Sequence, residues 1–268
     1  MNNTFGFIGT GNMGGALVKA AVQRMDAANV YVANRTPQKA QALADAFGCA
    51  VADNLWIAEN CGFIFLGVKP QMMEGLLAQL APVLARRKDE FVLVSMAAGL
   101  TMQTLRRMAE GMYPVIRIMP NTPVAVGSGV IMYDATDNVS AEAKSRFCEN
   151  LAAAGLLDPL PEKLMDAGSA VAGCGPAFAA MFLEALADGG VACGLPRTKA
   201  LEYAAQMLLG TAQLALQTGQ HPGQIKDAVC SPGGSTIQGV RALEQGGLRG
   251  AAMEAVIAAY RKTVELGK

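Results

Sequence analysis

Six short apolar runs punctuate the first 160 residues: 4–9 (TFGFIG), 30–34 (VYVAN), 63–68 (FIFLGV), 91–96 (FVLVSM), 115–119 (VIRIM) and 129–133 (GVIMY). Helical periodicity fills most of the intervals between them. Strands that are apolar on both faces and alternate with helices describe a mostly parallel sheet covered on both sides. The expected fold class is therefore α/β, a Rossmann-type doubly wound sheet. Thr36-Pro37 reads as an N-cap followed by Pro at the first helical position. Thr101 and Ser140 can cap the segments that follow them.

After Pro159-Leu160-Pro161 convincing strand runs stop. Ala-rich helices are expected at about 162–193, 197–218, 235–245 and 248–266. Breaks fall at Gly194-Leu195-Pro196, at 219–222 and at the stretch CSPGGST, residues 230–236. The organisation expected is an α/β domain over 1–160 and an all-helical domain over 161–268.

Charge excludes some classes of partner. The chain has 268 residues with 22 basic and 22 acidic side chains, and the two signs balance within each region. No run of like charge exceeds Arg86-Arg87-Lys88. Neither nucleic acid nor an anionic membrane surface is expected as the main partner. The start MNNTFGFIG lacks the basic opening of an export signal, so a cytoplasmic location is expected. Residues 203–225 carry no charge, but five glutamines with Gly210, Gly219 and Pro222 mark a soluble helix ending near Gly219. The six cysteines form no C-x-x-C pair and His221 is the single histidine, so no metal site is expected. Cys148 and Cys193 lie in apolar segments, as free core cysteines do in a reducing compartment. His221, beside Pro222, is expected in a surface loop.

Gly9-Thr10-Gly11-Asn12-Met13-Gly14 is a G-x-G-x-x-G placed between a strand and an amphipathic helix. The first glycine permits the turn, the second lets backbone approach a pyrophosphate, and the third lets helix and strand pack closely. Without a ligand the same residues make only a tight strand–helix turn. About twenty residues later, an NAD enzyme usually places a carboxylate on the ribose. This chain has Asn34-Arg35-Thr36 there. Arg35 can pair with a 2′-phosphate, which favours NADP(H) with NAD(H) as a second donor, or it can simply face solvent. Small residues after two further strands, Gly67-Val68-Lys69-Pro70 and Met96-Ala97-Ala98, leave room for ribose and nicotinamide. Met119-Pro120-Asn121-Thr122-Pro123 reads as a rigid loop that holds Asn121 and Thr122 in place.

Ser231-Pro232-Gly233-Gly234-Ser235-Thr236 breaks the helical region, either as a plain capped turn or as a seat for an anion. A helix start with free N–H groups, and with Ser235 or Thr236 as cap, suits a carboxylate.

With the glycine turn, Asn34-Arg35, Val68-Lys69-Pro70, MPNTP at 119–123, GCGPAF at 173–178 and SPGGST at 231–236 in this order, the chain resembles the pyrroline-5-carboxylate reductases over nearly its whole length. The resemblance implies reduction of the cyclic imine 1-pyrroline-5-carboxylate to L-proline by NAD(P)H, the last step of proline synthesis. It also implies a homodimer through the C-terminal helices, or a higher oligomer of dimers. Those helices could equally bury their apolar faces within one chain. Cofactor contacts would fall on Ile8, Gly9, Thr10, Gly11, Asn12, Met13, Gly14, Asn34, Arg35, Asn54, Gly67, Val68, Lys69, Pro70, Met96, Ala97 and Ala98. Substrate contacts would fall on Glu162, Ser231, Gly233, Gly234, Ser235 and Thr236. Ser231 to Thr236 would clamp the substrate carboxylate, and Thr236 would hydrogen bond the imine nitrogen. No obligate general acid is assigned, since a protonated imine is already electrophilic and hydride comes from the cofactor.

This chain departs from the family's S-G-S-G-P-A-Y at Ala172, Cys174 and Phe178, which removes two hydroxyls and a phenol. A 3-hydroxyacid dehydrogenase would carry a catalytic Lys and an Asn on the first long helix of the second domain, and neither is present. A non-catalytic dinucleotide-binding protein would have no reason to keep SPGGST. A hydrolase would need a G-x-S-x-G and a second candidate base.

Overall fold

The computed structural model describes residues 1–266. They form two compact units, Met1–Gly173 with the last residues of the chain, and Cys174–Ala259.

The first unit is built on one eight-stranded sheet. Its strands are β1 (Phe5–Ile8), β2 (Val30–Ala33), β3 (Ala50–Val51), β4 (Phe63–Leu66), β5 (Val92–Ser95), β6 (Val115–Pro120), β7 (Gly129–Ala135) and β8 (Gly155–Pro159). The spatial order is β3-β2-β1-β4-β5-β6-β7-β8, with every neighbouring pair parallel except β6 and β7. The chain winds outward from β1 to β3, then returns to β4 beside β1 and winds the other way. Strand order thus reverses at the β1/β4 crevice, the place where doubly wound sheets bind ligands.

Alternation along the strands divides the core in two. Phe5, Phe7, Phe63, Phe65, Val92, Val94, Ile116 and Ile118 point to one face, against α1 (Asn12–Val22) and α6 (Ala141–Leu151). Phe7 and Phe65 stack there at 4.2 Å. Ile8, Ile64, Leu66, Leu93 and Val115 point to the other, against α3 (Asn54–Asn60), α4 (Pro70–Leu84) and α5 (Met102–Met108). Each fully buried Phe, Ile or Leu contributes about 1.5–3 kcal/mol. The helix α2 (Pro37–Phe47) packs on β2 and β3 on the first face, with Ala40 buried in that cluster.

Thr101 and Ser140 cap α5 and α6 as expected, accepting from Thr104 N and Ala143 N. Thr36 occupies the N-cap position of α2, but its hydroxyl does not cap. Its N–H instead donates to Asn34 Oδ1 at 3.0 Å. Strands β3 and β8 were not among the expected runs. β3 has two residues and β8 is a half-exposed edge strand, so neither carries an apolar signature.

The first unit ends with α7 (Met165–Gly168) and a π-helical turn, Ser169–Gly173. The second unit is helical: α8 (Gly175–Ala192), α9 (Arg197–Thr218), α10 (Pro222–Ala228), α11 (Ser235–Gln245) and α12 (Leu248–Leu266), the last ending beyond it. The uncharged stretch at 203–225 is divided at Gly219, which takes φ 64° and closes α9. Among the described residues, the one stretch long and apolar enough to cross a membrane, by length and composition only, is Glu162–Ala192.

His221 is exposed and lies between α9 and α10, the surface loop position expected, where it also caps α10: its Nδ1 accepts from Gly223 N and Gln224 Oε1 accepts from His221 N. The signal lay in His-Pro-Gly-Gln, a capping box with imidazole in place of a hydroxyl. Cys193 is exposed rather than in the core, because it terminates α8 just before Gly194. Cys61 does lie in the core, and burial pushes its thiol up to about 12. At pH 8 it carries roughly 10⁴-fold fewer thiolates than thiols. In native protein, iodoacetamide is therefore expected to modify Cys193 and spare Cys61 until the chain is denatured, as peptide mass mapping would record. Early modification of Cys61 would contradict its burial.

Candidate active site

Five consecutive parallel strands end on one edge of the sheet, and the expected cofactor residues follow those ends. Gly9 to Gly14 follow β1, Asn34 and Arg35 follow β2, and Asn54 opens α3 after β3. Gly67 to Pro70 follow β4, and Met96 to Ala98 follow β5. Backbone bonds lace the ends together: Gly9 N donates to Ala33 O at 2.9 Å and Gly67 N to Ile8 O at 2.7 Å.

The glycines of the turn have separate duties. Gly9 takes φ 93°, and a Cβ there would lie 2.6 Å from Gly67 O. A Cβ on Gly14 would lie 2.6 Å from Gly9 O. These two let strand and helix backbones touch. Gly11 takes an ordinary φ of −73°, and a Cβ added to it would meet nothing within 4 Å. It faces open space before α1, whose N-cap it is. No side chain caps α1 and no acidic residue lies in its first turn. The first-turn N–H groups and the helix dipole are thus available to a phosphate, and the cradle fits a dinucleotide.

Asn34 orients the end of β2. Its Nδ2 donates to the buried Thr10 at 3.1 Å and its Oδ1 accepts from Thr36 N. Arg35, next along, is exposed and makes no hydrogen bond or ion pair among the described residues. Asn121 of the MPNTP loop turns inward. Its Nδ2 donates to Ala172 O at 3.0 Å and its Oδ1 accepts from Val130 N at 2.8 Å. That loop therefore braces the π-helical turn.

Glu162, expected at the substrate, is engaged in the protein. Its Oε1 accepts from Met102 N at 2.8 Å and from Arg117 Nη1 at 3.2 Å. Arg117 is a residue that sequence reading passed over, being only 3% exposed in the middle of β6. The available signal was the single charge inside VIRIM.

In the second unit, Ser231 to Gly234 form a turn closed by Gly234 N donating to Ser231 O at 3.1 Å, with Gly233 at φ 70°. Gly234, not Ser235 or Thr236, is the N-cap of α11, and no side chain caps the helix. The positive φ at Gly233 brings the chain into the helix one residue before the hydroxyls. Ser235 and Thr236 then sit in the first turn, both exposed. The correction strengthens the anion reading, since the N–H groups of that turn have no competing side chain.

The doubly wound sheet and its glycine turn define a dinucleotide-binding oxidoreductase. Residues 4–99 match the family described as NADP oxidoreductase coenzyme F420-dependent, and residues 162–266 match pyrroline-5-carboxylate reductase dimerisation. The pyrroline-5-carboxylate reductase of Escherichia coli (strain K12) is 37% identical over 271 residues, covering 100% of both chains. That of Glycine max is 38% identical, covering 98% of this chain and 96% of its own. Among solved structures, a pyrroline-5-carboxylate reductase from Coxiella burnetii superposes with a TM-score of 0.90 at 30% identity over 100% of both chains. A Plasmodium falciparum pyrroline carboxylate reductase with NADP bound gives 0.86 at 29%, covering 99% of this chain and 98% of its own. This chain belongs to the pyrroline-5-carboxylate reductase family.

Proposed function

We propose that the chain reduces 1-pyrroline-5-carboxylate to L-proline with NADPH, as the closing step of proline synthesis. Full-length membership of the reductase family carries this reading. Two anion seats of the right kind support it, one at α1 in the first unit and one at α11 in the second. When bound, the nicotinamide supplies hydride to the imine carbon. The first turn of α1, with Gly11 open above it, binds the pyrophosphate, and Arg35 pairs with the 2′-phosphate. Ser231 to Thr236 hold the substrate carboxylate, and Thr236 Oγ1 hydrogen bonds the ring nitrogen. The nitrogen is protonated before transfer, so no side chain has to deliver a proton in that step.

The organisation proposed is a cofactor domain over 1–160 and a substrate and dimerisation domain over 161–268. The match to a dimerisation domain supports a homodimer through the C-terminal helices. So does the exposure of Met181, Tyr203, Met207, Leu209 and Leu216, the last at 84%. Assembly of such dimers and a cytoplasmic location belong to the same reading.

The test is oxidation of NADPH by the purified protein with 1-pyrroline-5-carboxylate, with proline identified as product. Absence of turnover despite NADPH binding would overturn the reading. Arg35→Ser is expected to raise KM for NADPH about tenfold, the loss of one charge-assisted contact near 1.4 kcal/mol, and to leave KM for NADH unchanged. An equal change for both cofactors would remove Arg35 from the 2′-phosphate.

A further inference from the structure

At the last row of the sheet before its carboxyl edge, one face carries Ile8, Leu66, Ser95, Arg117 and Asp134 in register across β1, β4, β5, β6 and β7. The preceding row on this face carries Ile64, Leu93 and Val115, and an aliphatic residue on β6 would continue it here. Arg117 takes that place instead. Its Nη1 and Nη2 meet Glu162 at 3.2 Å and Asp166 at 3.4 Å, while its buried Nε has no partner.

A buried ion pair is a poor source of stability. Replacing one with apolar groups of similar size is often neutral or stabilising, and an unpartnered buried donor costs about 1–3 kcal/mol. The arrangement therefore calls for a purpose other than stability, and the wider network supplies one. Glu162 is held from two sides, with Asp134 Oδ2 accepting from its N–H at 2.6 Å and Arg117 on its carboxylate. The same Oε1 accepts from the N–H of Met102, the first residue of α5. Just before α5 lies the 96–101 loop, whose opening residues, Met96 to Ala98, are expected beside the nicotinamide. On the other side of Glu162, Asp166 and the π-helical turn lead in sequence to Gly175-Pro176, and Asn121 pins that turn at Ala172 O.

We propose that Arg117 is a positioning residue of the reaction: through Glu162 it sets the start of α5, and with it the loop that borders the nicotinamide. This rests on the reductase reading. It also reassigns Glu162 from substrate contact to the same positioning network. The guanidinium suits the task because its planar fork reaches two carboxylates at once.

The experiment compares Arg117→Met and Arg117→Lys with the parent enzyme in kcat, KM for NADPH, Tm and hydrogen exchange of peptides covering 96–105. Arg117→Met fills the site with an apolar side chain. It leaves Glu162 and Asp166, both part-exposed, without their cation, so it is expected to lower Tm by several degrees, to lower kcat about tenfold, to leave KM for NADPH within twofold and to speed exchange in 96–105 but not in 12–22. Arg117→Lys is expected to recover part of kcat. A Met variant with parental kcat and parental exchange at 96–105 would overturn the proposal, as would equal losses in kcat and Tm that Lys does not relieve. Should Arg117→Met fail to fold, Asp166→Asn decides on the same readouts, with an expected kcat loss of about threefold and unchanged values counting against the proposal. If the parent enzyme turns over no imine, the reductase reading fails by itself, and the exchange comparison still tests whether Arg117 holds the loop.

Discussion

Gly11→Ala is expected to raise KM for NADPH about 100-fold while leaving Tm unchanged, since displacing the pyrophosphate by about 1 Å spoils the alignment of everything attached to it. Gly11 has an ordinary φ, and the added methyl would meet no protein atom within 4 Å. The fold therefore tolerates alanine there, and the space it fills is the space a phosphate needs. Gly14→Ala is the contrast. Its methyl would lie 2.6 Å from Gly9 O, backbone that cannot move aside without disturbing the β1–α1 packing. That variant is expected to lower Tm as well as cofactor affinity. Calorimetry and steady-state kinetics on both separate the two roles. A Gly11→Ala enzyme with parental KM for NADPH would show that the pyrophosphate does not sit over Gly11.

Thr236→Ala is expected to lower kcat/KM for 1-pyrroline-5-carboxylate about 10- to 100-fold at unchanged KM for NADPH, the range for losing one hydrogen bond to a charged group. The side chain is exposed in the first turn of α11 and does not cap the helix, so its removal takes little stability with it. Ser235→Ala, removing the neighbouring hydroxyl, is expected to act mainly on KM for the imine through the carboxylate. Thr236→Ser restores the hydroxyl and should restore most of the rate. If Thr236→Ala reduces the imine at the parental rate, the substrate is held elsewhere in the second unit.

Much of this site was legible in local sequence because its parts are backbone devices. A G-x-G-x-x-G between an apolar run and a helix needs no distant partner to be recognised, and Gly9 does adopt the positive φ that such a turn requires. Ser-Pro-Gly-Gly before a helix is equally local. The sequence erred over which residue would be the cap, because a hydroxyl one or two positions into the helix looks the same in sequence as one at its edge. Asn34 shows the same limit. Its side chain is shared between Thr10 and Thr36, a choice made by where β1 and β2 pair.

The periodicity of apolar residues by itself determined the alternating architecture, the glycine turn at the first strand and the change to an all-helical second region, since these depend on neighbours a few residues apart. Tertiary structure alone decided the strands β3 and β8, whose short or half-exposed segments gain their ladders from β2 and β7. It also decided the antiparallel step from β6 to β7. The burial of Arg117 against carboxylates 45 and 49 residues away belongs with these. A charge inside an apolar run is costly until the fold brings its partners to it, and no local pattern records where those partners will be.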